Sequence, residues 1–489
     1  MRSLSEAAKP ESATLMPSND RIIVGIDVGT HKVCTIVAEA EPGPGTRLNV
    51  LGVGAVASEG MQKGMVTDIV AASNAIAHSL EAAERQSGCR ILSAYVSVSG
   101  NHISSINSRG LVSVSNADRI ITQDDVTRAV EAASAVAVPA GRDVLHVIPR
   151  TYTVDGQEGI RNPVGMSGFR LDTETHIVMS ASNVRENLIR CVQKADVEVD
   201  DLVLSPLASA EAVLTEQEKN MGVVHVDIGH GTTDIAIYVE GSVWRTKVIP
   251  VGGWQMTNDL VIVFNIPYEA AEALKLQYGQ AVVPGANLYT KASVTQPTNG
   301  KSHPVAVPTG AVHAGSSLSF GPHDLGSEEG HTDEPESHSY SPSEEMLEAQ
   351  TFEGTTRLIS RGELNEVIAA RLEQILGLIA DEIRRSDYEG LLPAGLVLTG
   401  GVADMPGIEP LASHKLRMPV RIGRSRKIGG LAEAFENPAY ATTVGLTLWS
   451  LKQSAQPSVF QQERSPRPNK QTDARNSLAK WLKGFLPQG

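Results

Sequence analysis

The sequence predicts an α/β fold made of two related halves. Short β runs alternate with helical stretches along most of the 489 residues, a pattern typical of sheets covered by helices. A strand–glycine turn–strand unit occurs near the start, at 25–32, and again in the second half, at 226–234. A third glycine turn follows a β run at 396–407. A chain of this length has room for about two to four domain-sized units.

Composition places the chain among folded proteins of a reducing compartment. Hydrophobic residues make up 41% and charged residues 20%, enough for sizeable cores. No run approaches the roughly 18 apolar residues of a membrane-spanning helix, which excludes an integral membrane protein. The net charge of −14 disfavours nucleic acid as a partner, because phosphate contacts need a basic face. Cys34, Cys89 and Cys191 lie far apart, which excludes a disulfide framework, and the N-terminus lacks the apolar region of a secretion signal.

The predicted elements form two series. The first comprises a strand–turn–strand unit (21–39), a helix (66–85), a β run (94–99), β segments (110–115, 146–154 and 175–180) around a helix (122–137), a helix (183–195) and a strand (201–205). The second comprises a strand–turn–strand unit (222–240), helices (254–264 and 268–278), a long helix (361–386), a strand (395–399), the glycine turn and a short helix. Ile69, Ile76 and Leu80 share one helical face, so helix 66–85 is expected to cover a core.

Residues 281–356 differ in composition from the rest. They carry ten acidic and two basic side chains, and they are rich in Ser, Pro, Gly and Thr. Little apolar periodicity is visible between Val294 and Ser343, which predicts a disordered or loosely ordered insertion. Five of the thirteen histidines lie here, but their spacing matches no metal-ligand motif, so a solvated loop is favoured over a metal site.

The two strand–turn–strand units form the first candidate site. Each places an aspartate, Asp27 or Asp227, at the end of a β run. The glycines that follow allow a tight turn, and successive N–H groups with threonine hydroxyls form a concave anion site. The aspartates are expected to hold Mg²⁺ through water, because Mg²⁺ keeps several waters and takes few carboxylates. The candidate anion-binding residues are Gly29, Thr30, His31 and Lys32 in the first unit, and Gly229, His230, Gly231, Thr232 and Thr233 in the second.

Neither unit matches a common phosphate-binding loop. The chain has no GxxxxGK[ST] running into a helix and no GxGxxG of a dinucleotide-binding fold. One such unit alone would favour a plain β-hairpin. Two copies in the two halves predict a pair of related domains that clamp a polyphosphate.

The third glycine turn completes the candidate site. Gly400, Gly401 and Val402 follow a β run, and paired glycines allow a flat ring to lie against the backbone. Alone, the turn is equally typical of an ordinary strand–helix connection. After the two hairpins, it predicts the nucleoside end of the site.

This ordered set resembles the ATPase superfamily of actin, heat-shock chaperones and sugar kinases. Residues 27–32 and 227–234 are similar to its two phosphate motifs, and 399–401 to its adenosine motif. Residues 206–211 and 442–446 are similar to its connecting helices. The resemblance implies an ATP ligand, with Glu272 and Lys275 near the ribose and base. The alternative for this pair is an exposed i, i+3 charge pair on a helix.

Within the superfamily the chain resembles FtsA, a family of bacterial cell-division actin homologues. Residues 59–66, 96–103 and 251–260 carry the resemblance most specifically. FtsA-like proteins replace one actin subdomain with a differently placed one. The implied organisation is a disordered tail (1–20), a first actin-like domain (21–100 and 182–215), the inserted subdomain (101–181), a second actin-like domain (216–250 and 387–452), its smaller subdomain (251–386, containing the 281–356 insertion), a linker (453–475) and a membrane-targeting amphipathic helix (476–489).

Three departures from the family pattern bear on activity. His230 stands where the family usually has a third glycine. Ser205 stands where several superfamily ATPases have a water-positioning glutamate, and a serine is a poor base at neutral pH. We therefore expect at most slow hydrolysis, with no catalytic residue assigned and ATP acting mainly as a conformational and polymerisation ligand. The long insertion lies in the subdomain implied to bind FtsZ.

The C-terminal stretch predicts an interfacial membrane helix. Its apolar residues fall on one helical face and its lysines flank that face, which suits anionic lipid. A helix docked on the protein's own body is the less favoured alternative. The residues are Leu478, Trp481, Leu482, Phe485 and Leu486 on the face, with Lys480 and Lys483 beside it.

The implied function is that of an adaptor. It would bind ATP, polymerise on the cytoplasmic face of the bacterial membrane at the division septum, tether the C-terminal peptide of FtsZ, and recruit later division proteins. Candidate FtsZ contacts are Arg357, Arg361 and Arg371, for which a solvated helix face is an equal alternative. Two other functions stay open: an ATP hydrolase or phosphotransferase, and a pilus-assembly relative of FtsA, against which the tail argues.

Overall fold

The structure, a computed structural model, describes residues 22–40, 48–135, 138–282, 345–425, 428–430 and 435–455. The strands are β1 (Ile22–Val28), β2 (Lys32–Ala40), β3 (Leu48–Ala57), β4 (Met61–Gln62), β5 (Met65–Val66), β6 (Ser93–Val98), β7 (Ser104–Ser113), β8 (Arg142–Val154), β9 (Gln157–Ile160), β10 (Arg170–Ala181), β11 (Glu198–Leu204), β12 (Val223–Ile228), β13 (Thr233–Val239), β14 (Ser242–Ile249), β15 (Met346–Gln350), β16 (Thr356–Ser360), β17 (Leu396–Thr399), β18 (Val420–Ile422) and β19 (Ile428–Gly430). The helices are α1 (Ile69–Ser87), α2 (Gln123–Ser134), α3 (Ser182–Lys194), α4 (Ser205–Val213), α5 (Glu216–Met221), α6 (Gly253–Phe264), α7 (Tyr268–Tyr278), α8 (Arg361–Arg384), α9 (Ile408–Leu416) and α10 (Ala441–Ala455).

The first lobe is a six-stranded mixed sheet with helices against it. The strand order is β11-β6-β1-β2-β3-β19, with β1 antiparallel to β2 and parallel to β6. Asp68 caps the start of helix α1, and its Oδ1 accepts hydrogen bonds from the Val70 and Ala71 N–H groups at 2.8 and 3.1 Å. The helix buries Ile76 and Leu80 in the core of this lobe, as its sequence pattern predicts.

The second lobe begins with the same strand arrangement. Its five-stranded sheet has the order β14-β13-β12-β17-β18, with β12 antiparallel to β13 and parallel to β17. Helices α6, α7 and α8 and the β15–β16 hairpin share a core with this sheet. In both lobes the turn after the first strand, β1 or β12, therefore lies at the same sheet edge as the carboxyl end of the parallel neighbouring strand, β6 or β17.

Helices α4 and α10 join the two lobes. Helix α4 packs on β12 and β13, whereas α10 packs on β1 and β2, and the two helices pack on each other. Their crossing depends on Gly445, because a Cβ there would lie 1.8 Å from the carbonyl oxygen of Ala208. The helix pair therefore contacts the sheets of both lobes.

An additional subdomain is inserted between β6 and α3. Its antiparallel sheet has the order β7-β10-β8-β9, and α2 covers one face. Side chains of this sheet also cap the edge strand β14 of the second lobe. Ser105 Oγ donates to the Thr246 carbonyl oxygen at 3.1 Å, and Asn107 Nδ2 donates to that of Trp244 at 3.3 Å. His176 lies between Asn107 Oδ1 at 2.6 Å and Thr246 Oγ1 at 2.9 Å.

Residues 281–356 were predicted to be a disordered or loosely ordered insertion, but the C-terminal part of this range is folded. Strand β15 lies inside it, pairs with β16, and buries Leu347 and Ala349. Two alternating apolar residues are too few to predict a strand in a segment with many acidic residues. Residues 283–344, the predicted N-terminal tail, and the predicted linker and membrane helix beyond Ala455 lie outside the described residues. Within the described ranges no helix is long and apolar enough to cross a membrane.

Candidate functional site

Two turns of the same construction face each other between the lobes. In the first, the Gly29 N–H donates to the Lys32 carbonyl oxygen at 3.0 Å, and in the second the Gly229 N–H donates to that of Thr232 at 2.9 Å. A Cβ added to Gly231 would lie 2.7 Å from Thr30 Oγ1. The glycine at this position therefore permits the close approach of the second turn to the first.

The turns open into a cavity of about 430 Å³. Of the residues predicted as ligand-binding, the structure brings fifteen to its walls: Asp27, Gly29, Thr30, His31, Lys32, Asp227, Gly229, His230, Gly231, Thr232, Glu272, Lys275, Gly400, Gly401 and Val402. Thr233 does not line it, because its hydroxyl points away and donates to the Val251 carbonyl oxygen at 2.8 Å. Thr233 is the first residue of β13, where side chains alternate between faces.

Asp27 and Asp227 lie close enough to influence each other's charge. Ser97 Oγ donates to Asp27 at 2.7 Å, and Thr442 Oγ1 donates to Asp227 at 3.0 Å. Burial raises the pKa of Asp27, and burial together with the charge of Asp27 raises the pKa of Asp227 to about 6. Two buried carboxylates that repel each other are stabilised by a cation between them.

Lys32 supplies one positive charge to this end of the cavity. Its Nζ lies 3.4 Å from the centroid of the Tyr440 ring. Burial lowers the pKa of Lys32, and the neighbouring Asp27 and Asp227 work against that shift. Lys32 is thus a partly buried cation beside two acidic groups, at the end of the turn that the sequence predicted to bind an anion.

A third carboxylate, Asp234, joins the lobes and was not predicted as a site residue. It accepts hydrogen bonds from Ser99 of the first lobe and from Thr232 Oγ1, the latter at 2.9 Å. Burial, chiefly, raises the pKa of Asp234 to about 7. The sequence contained one signal, since strand pairing across the second turn puts Asp234 opposite Asp227.

The third glycine turn and α7 also line the cavity. Gly400 has φ +90°, and a Cβ there would lie 2.4 Å from the Ile228 carbonyl oxygen, whereas a Cβ on Gly401 would meet no atom within 4 Å. Lys275 Nζ donates to Glu272 at 2.7 Å and to Thr257 Oγ1 at 2.8 Å. Lys275 is only 7% exposed, so this pair is not the solvated surface pair considered as the alternative.

Two residues that depart from the family pattern also line the cavity. The rings of His230 and His31 have centroids 4.8 Å apart, and burial lowers the pKa of His230 to about 4. Ser205 Oγ donates to the Val98 carbonyl oxygen at 3.2 Å.

The three arginines predicted to contact a partner lie on the smaller part of the second lobe. Arg357 Nη1 donates to the Phe264 carbonyl oxygen at 2.7 Å. Arg361 Nη1 pairs with Glu345 at 2.8 Å. Arg371 makes a two-pronged contact with Asp259 at 2.6 and 2.7 Å, and this hydrogen bonding raises the pKa of Arg371. All three thus have partners within the protein and are not brought into the cavity.

Two lobes with matching hairpins, a connecting helix pair and a cleft between them define an actin-like protein with a subdomain inserted in its first lobe. A solved structure titled "PilM-PilN type IV pilus biogenesis complex" is similar in fold, with a TM-score of 0.56 at 13% identity over 88% of this chain and 98% of that chain. At this identity the likeness shows the fold alone.

Sequence comparisons identify the family. The family described as "Cell division protein FtsA" matches residues 224–445, and "SHS2 domain inserted in FTSA" matches residues 100–179. The cell division protein FtsA of Pseudomonas aeruginosa is 38% identical over 435 residues, 89% of this chain and 90% of its own length. Those of Escherichia coli K12 (34% identical, 88% of this chain and 91% of its own length) and Bacillus subtilis (33%, 88% and 83%) are also similar. The chain belongs to the FtsA family of cell division proteins, which confirms the predicted resemblance, fold class and cell-division role.

Proposed function

We propose that this cell division protein binds ATP with Mg²⁺ in the cleft between its lobes. It uses the nucleotide as a conformational and polymerisation ligand, and tethers FtsZ filaments to the cytoplasmic face of the membrane at the division septum. The observation that carries the nucleotide part is the convergence of two matched glycine turns, two acidic groups and Lys32 on one cavity.

The cavity residues divide into groups suited to the parts of ATP. The backbone N–H groups of the two turns, with the hydroxyls of Thr30 and Thr232 and the charge of Lys32, fit the phosphates. Asp27 and Asp227 fit Mg²⁺ held through water, which would relieve their mutual repulsion. Gly401, which has open space where a side chain would be, fits the flat face of a base, and Glu272 with Lys275 supplies polar groups for the ribose.

The same cavity favours slow hydrolysis. Ser205, at the position where several superfamily ATPases have a glutamate, lacks a carboxylate to orient or deprotonate water. Asp234 accepts hydrogen bonds from Ser99 of the first lobe and from Thr232 of its own turn, so both of its oxygens are occupied and one of them joins the lobes. ATP therefore acts by holding the lobes together, and turnover is secondary.

Membrane and partner binding complete the proposal. The 476–489 stretch would dock on anionic lipid as an interfacial helix, and polymers that present many such helices gain avidity. The basic groups Arg357, Arg361 and Arg371 would contact the C-terminal peptide of FtsZ. Because Arg371 already pairs with Asp259, an acidic peptide would have to compete with that carboxylate. Later division proteins are proposed as further partners.

Vesicle co-pelleting tests the membrane part of the proposal. The full chain and a chain ending at Arg475 are mixed with anionic lipid vesicles, with and without ATP and Mg²⁺. The proposal predicts pelleting that needs the C-terminal stretch and rises with ATP. Equal pelleting of both chains would show that the terminal stretch is not the anchor. Absence of pelleting for both would favour the soluble ATPase or pilus-type alternatives.

Charge reversal tests the FtsZ contact. Arg361→Glu with Arg371→Glu should weaken FtsZ binding at least about tenfold, because two attractive charges become repulsive. Arg384→Glu is the matched control, since Arg384 lies on the same helix α8 and pairs with Asp381, one turn away. FtsZ affinity that is unchanged in the double variant would remove these residues from the interface.

A further inference from the structure

The tips of the two phosphate turns each carry a histidine, and the two rings meet across the cleft. His31 follows Thr30 in the first turn and His230 follows Gly229 in the second. Their centroids are 4.8 Å apart with the ring planes inclined by 35°, and both side chains line the cavity. Because the turns belong to different lobes, this contact exists only while the lobes are close together.

The His230 ring is held in place by a third element. Its Nε2 lies 3.2 Å from the hydroxyl of Tyr268, the first residue of α7. With Nε2 bonded there, Nδ1 is the nitrogen that remains available to a ligand in the cavity. Tyr268 therefore orients the imidazole without using up its capacity to donate a hydrogen bond.

The chemistry of the pair favours an anion over a metal ion. Among the described residues, no group of three or more His, Cys, Asp or Glu side chains is arranged to hold a metal. Burial, the charge of His31 and that of Lys275 all disfavour a proton on His230, whereas Glu272 favours one. An anion placed against the rings would reverse this balance and strengthen the hydrogen bonds, because charge-assisted bonds are roughly twice as strong as neutral ones.

We infer that His31 and His230 together recognise the terminal phosphoryl group of a nucleoside triphosphate, so that the cleft of this protein distinguishes ATP from ADP. This inference rests on the proposed nucleotide function. The inner phosphates are served by backbone N–H groups and threonine hydroxyls of the turns. The two imidazoles, one from each lobe, then add donors that only a third phosphate engages, and the bound phosphate joins the lobes through them.

Equilibrium binding of two nucleotides to the full chain tests the inference. Affinities for ADP and for a non-hydrolysable ATP analogue, each with Mg²⁺, are measured for the wild type and for His230→Gly. Loss of a charge-assisted donor should reduce the ratio of the triphosphate affinity to the ADP affinity by about tenfold. His230→Gln, which keeps an N–H donor, should recover part of the preference.

A second variant separates recognition from folding. His31→Gln changes the partner ring in the other lobe. In the double variant His31→Gln with His230→Gln, the preference for the triphosphate should fall by less than the sum of the two single losses in free energy, as expected of residues that act together. Melting curves establish that each variant is folded. An unchanged ratio of the two affinities in His230→Gly, or equal losses for both nucleotides, would overturn the inference while leaving nucleotide binding intact. A wild-type chain that binds neither nucleotide would overturn the proposed function as well.

Discussion

Alanine substitution of the two adjacent glycines of the third turn should have different effects: at Gly400 it should lower stability, and at Gly401 it should weaken ATP binding. Gly400 has φ +90° and ψ 169°, a region that side chains avoid, at a cost of about 1–3 kcal/mol. Its new Cβ would also lie 2.4 Å from the Ile228 carbonyl oxygen and 2.5 Å from Asp227 Oδ1. Overpacking of this kind costs about 1–3 kcal/mol more.

Gly400→Ala should therefore lower the free energy of unfolding by about 2–6 kcal/mol and the melting temperature by at least about 2 °C. Gly401→Ala is the matched control, because its Cβ would meet nothing within 4 Å. The free energy of unfolding of that variant should lie within about 0.5 kcal/mol of the wild-type value. It should nevertheless bind ATP roughly tenfold more weakly, because the methyl group occupies space proposed for the base.

Thermal unfolding and equilibrium nucleotide binding of the two variants provide the test. A Gly400→Ala protein that melts like the wild type would show that the close approach of this turn to β12 has been misjudged. A Gly401→Ala protein with unchanged ATP affinity would show that the base does not lie against this turn.

Three further predictions follow from the packing and charges. Thr246→Val removes the hydroxyl bonded to His176 and should destabilise the junction of the inserted subdomain with β14 by about 1–3 kcal/mol, seen as faster amide exchange in β14, whereas unchanged exchange would contradict it. Burial lowers the pKa of five histidines, to about 4 for His102, His146 and His230 and to about 3 for His176 and His225. These outnumber the three aspartates whose pKa burial raises, Asp27, Asp227 and Asp234, so unfolding takes up protons on balance below about pH 6.5 and stability should fall from there towards about pH 4; a melting temperature independent of pH in this window would refute the assignment. ATP with Mg²⁺ at 100 times its dissociation constant should raise the unfolding free energy by about 2.7 kcal/mol, and a chelator should cancel most of this rise if Mg²⁺ is held as proposed.

The sequence predicted best what depends on local pattern. The glycine turns at 29 and 229 were visible because each turn follows a β run and carries its own glycines and hydroxyls. Their approach across the cleft, with Thr30 against Gly231, was predicted only because the motif occurs twice. The family resemblance supplied the order of the lobes and the position of the inserted subdomain.

Contacts between residues far apart in sequence were missed. The Ser99–Asp234 hydrogen bond joins residues 135 positions apart, and neither residue carries a local signal of that pairing. Ser105 and Asn107 bond to β14 because the inserted sheet packs beside that strand. The alternation of polar and apolar residues along a strand does not predict where the sheet packs. Strand β15 was overlooked because composition of the surrounding segment outweighed its two alternating apolar residues.

Calorimetric titration of the full chain with ATP and Mg²⁺ tests the central claim most directly. The account predicts one ATP per chain, with the affinity for Mg²⁺-bound ATP at least about tenfold weaker in the double variant Asp27→Asn with Asp227→Asn, because the two groups proposed to hold Mg²⁺ are neutralised. Absence of ATP binding to the wild type, or binding that is equal in the double variant, would contradict the assignment of this cleft as a magnesium–nucleotide site.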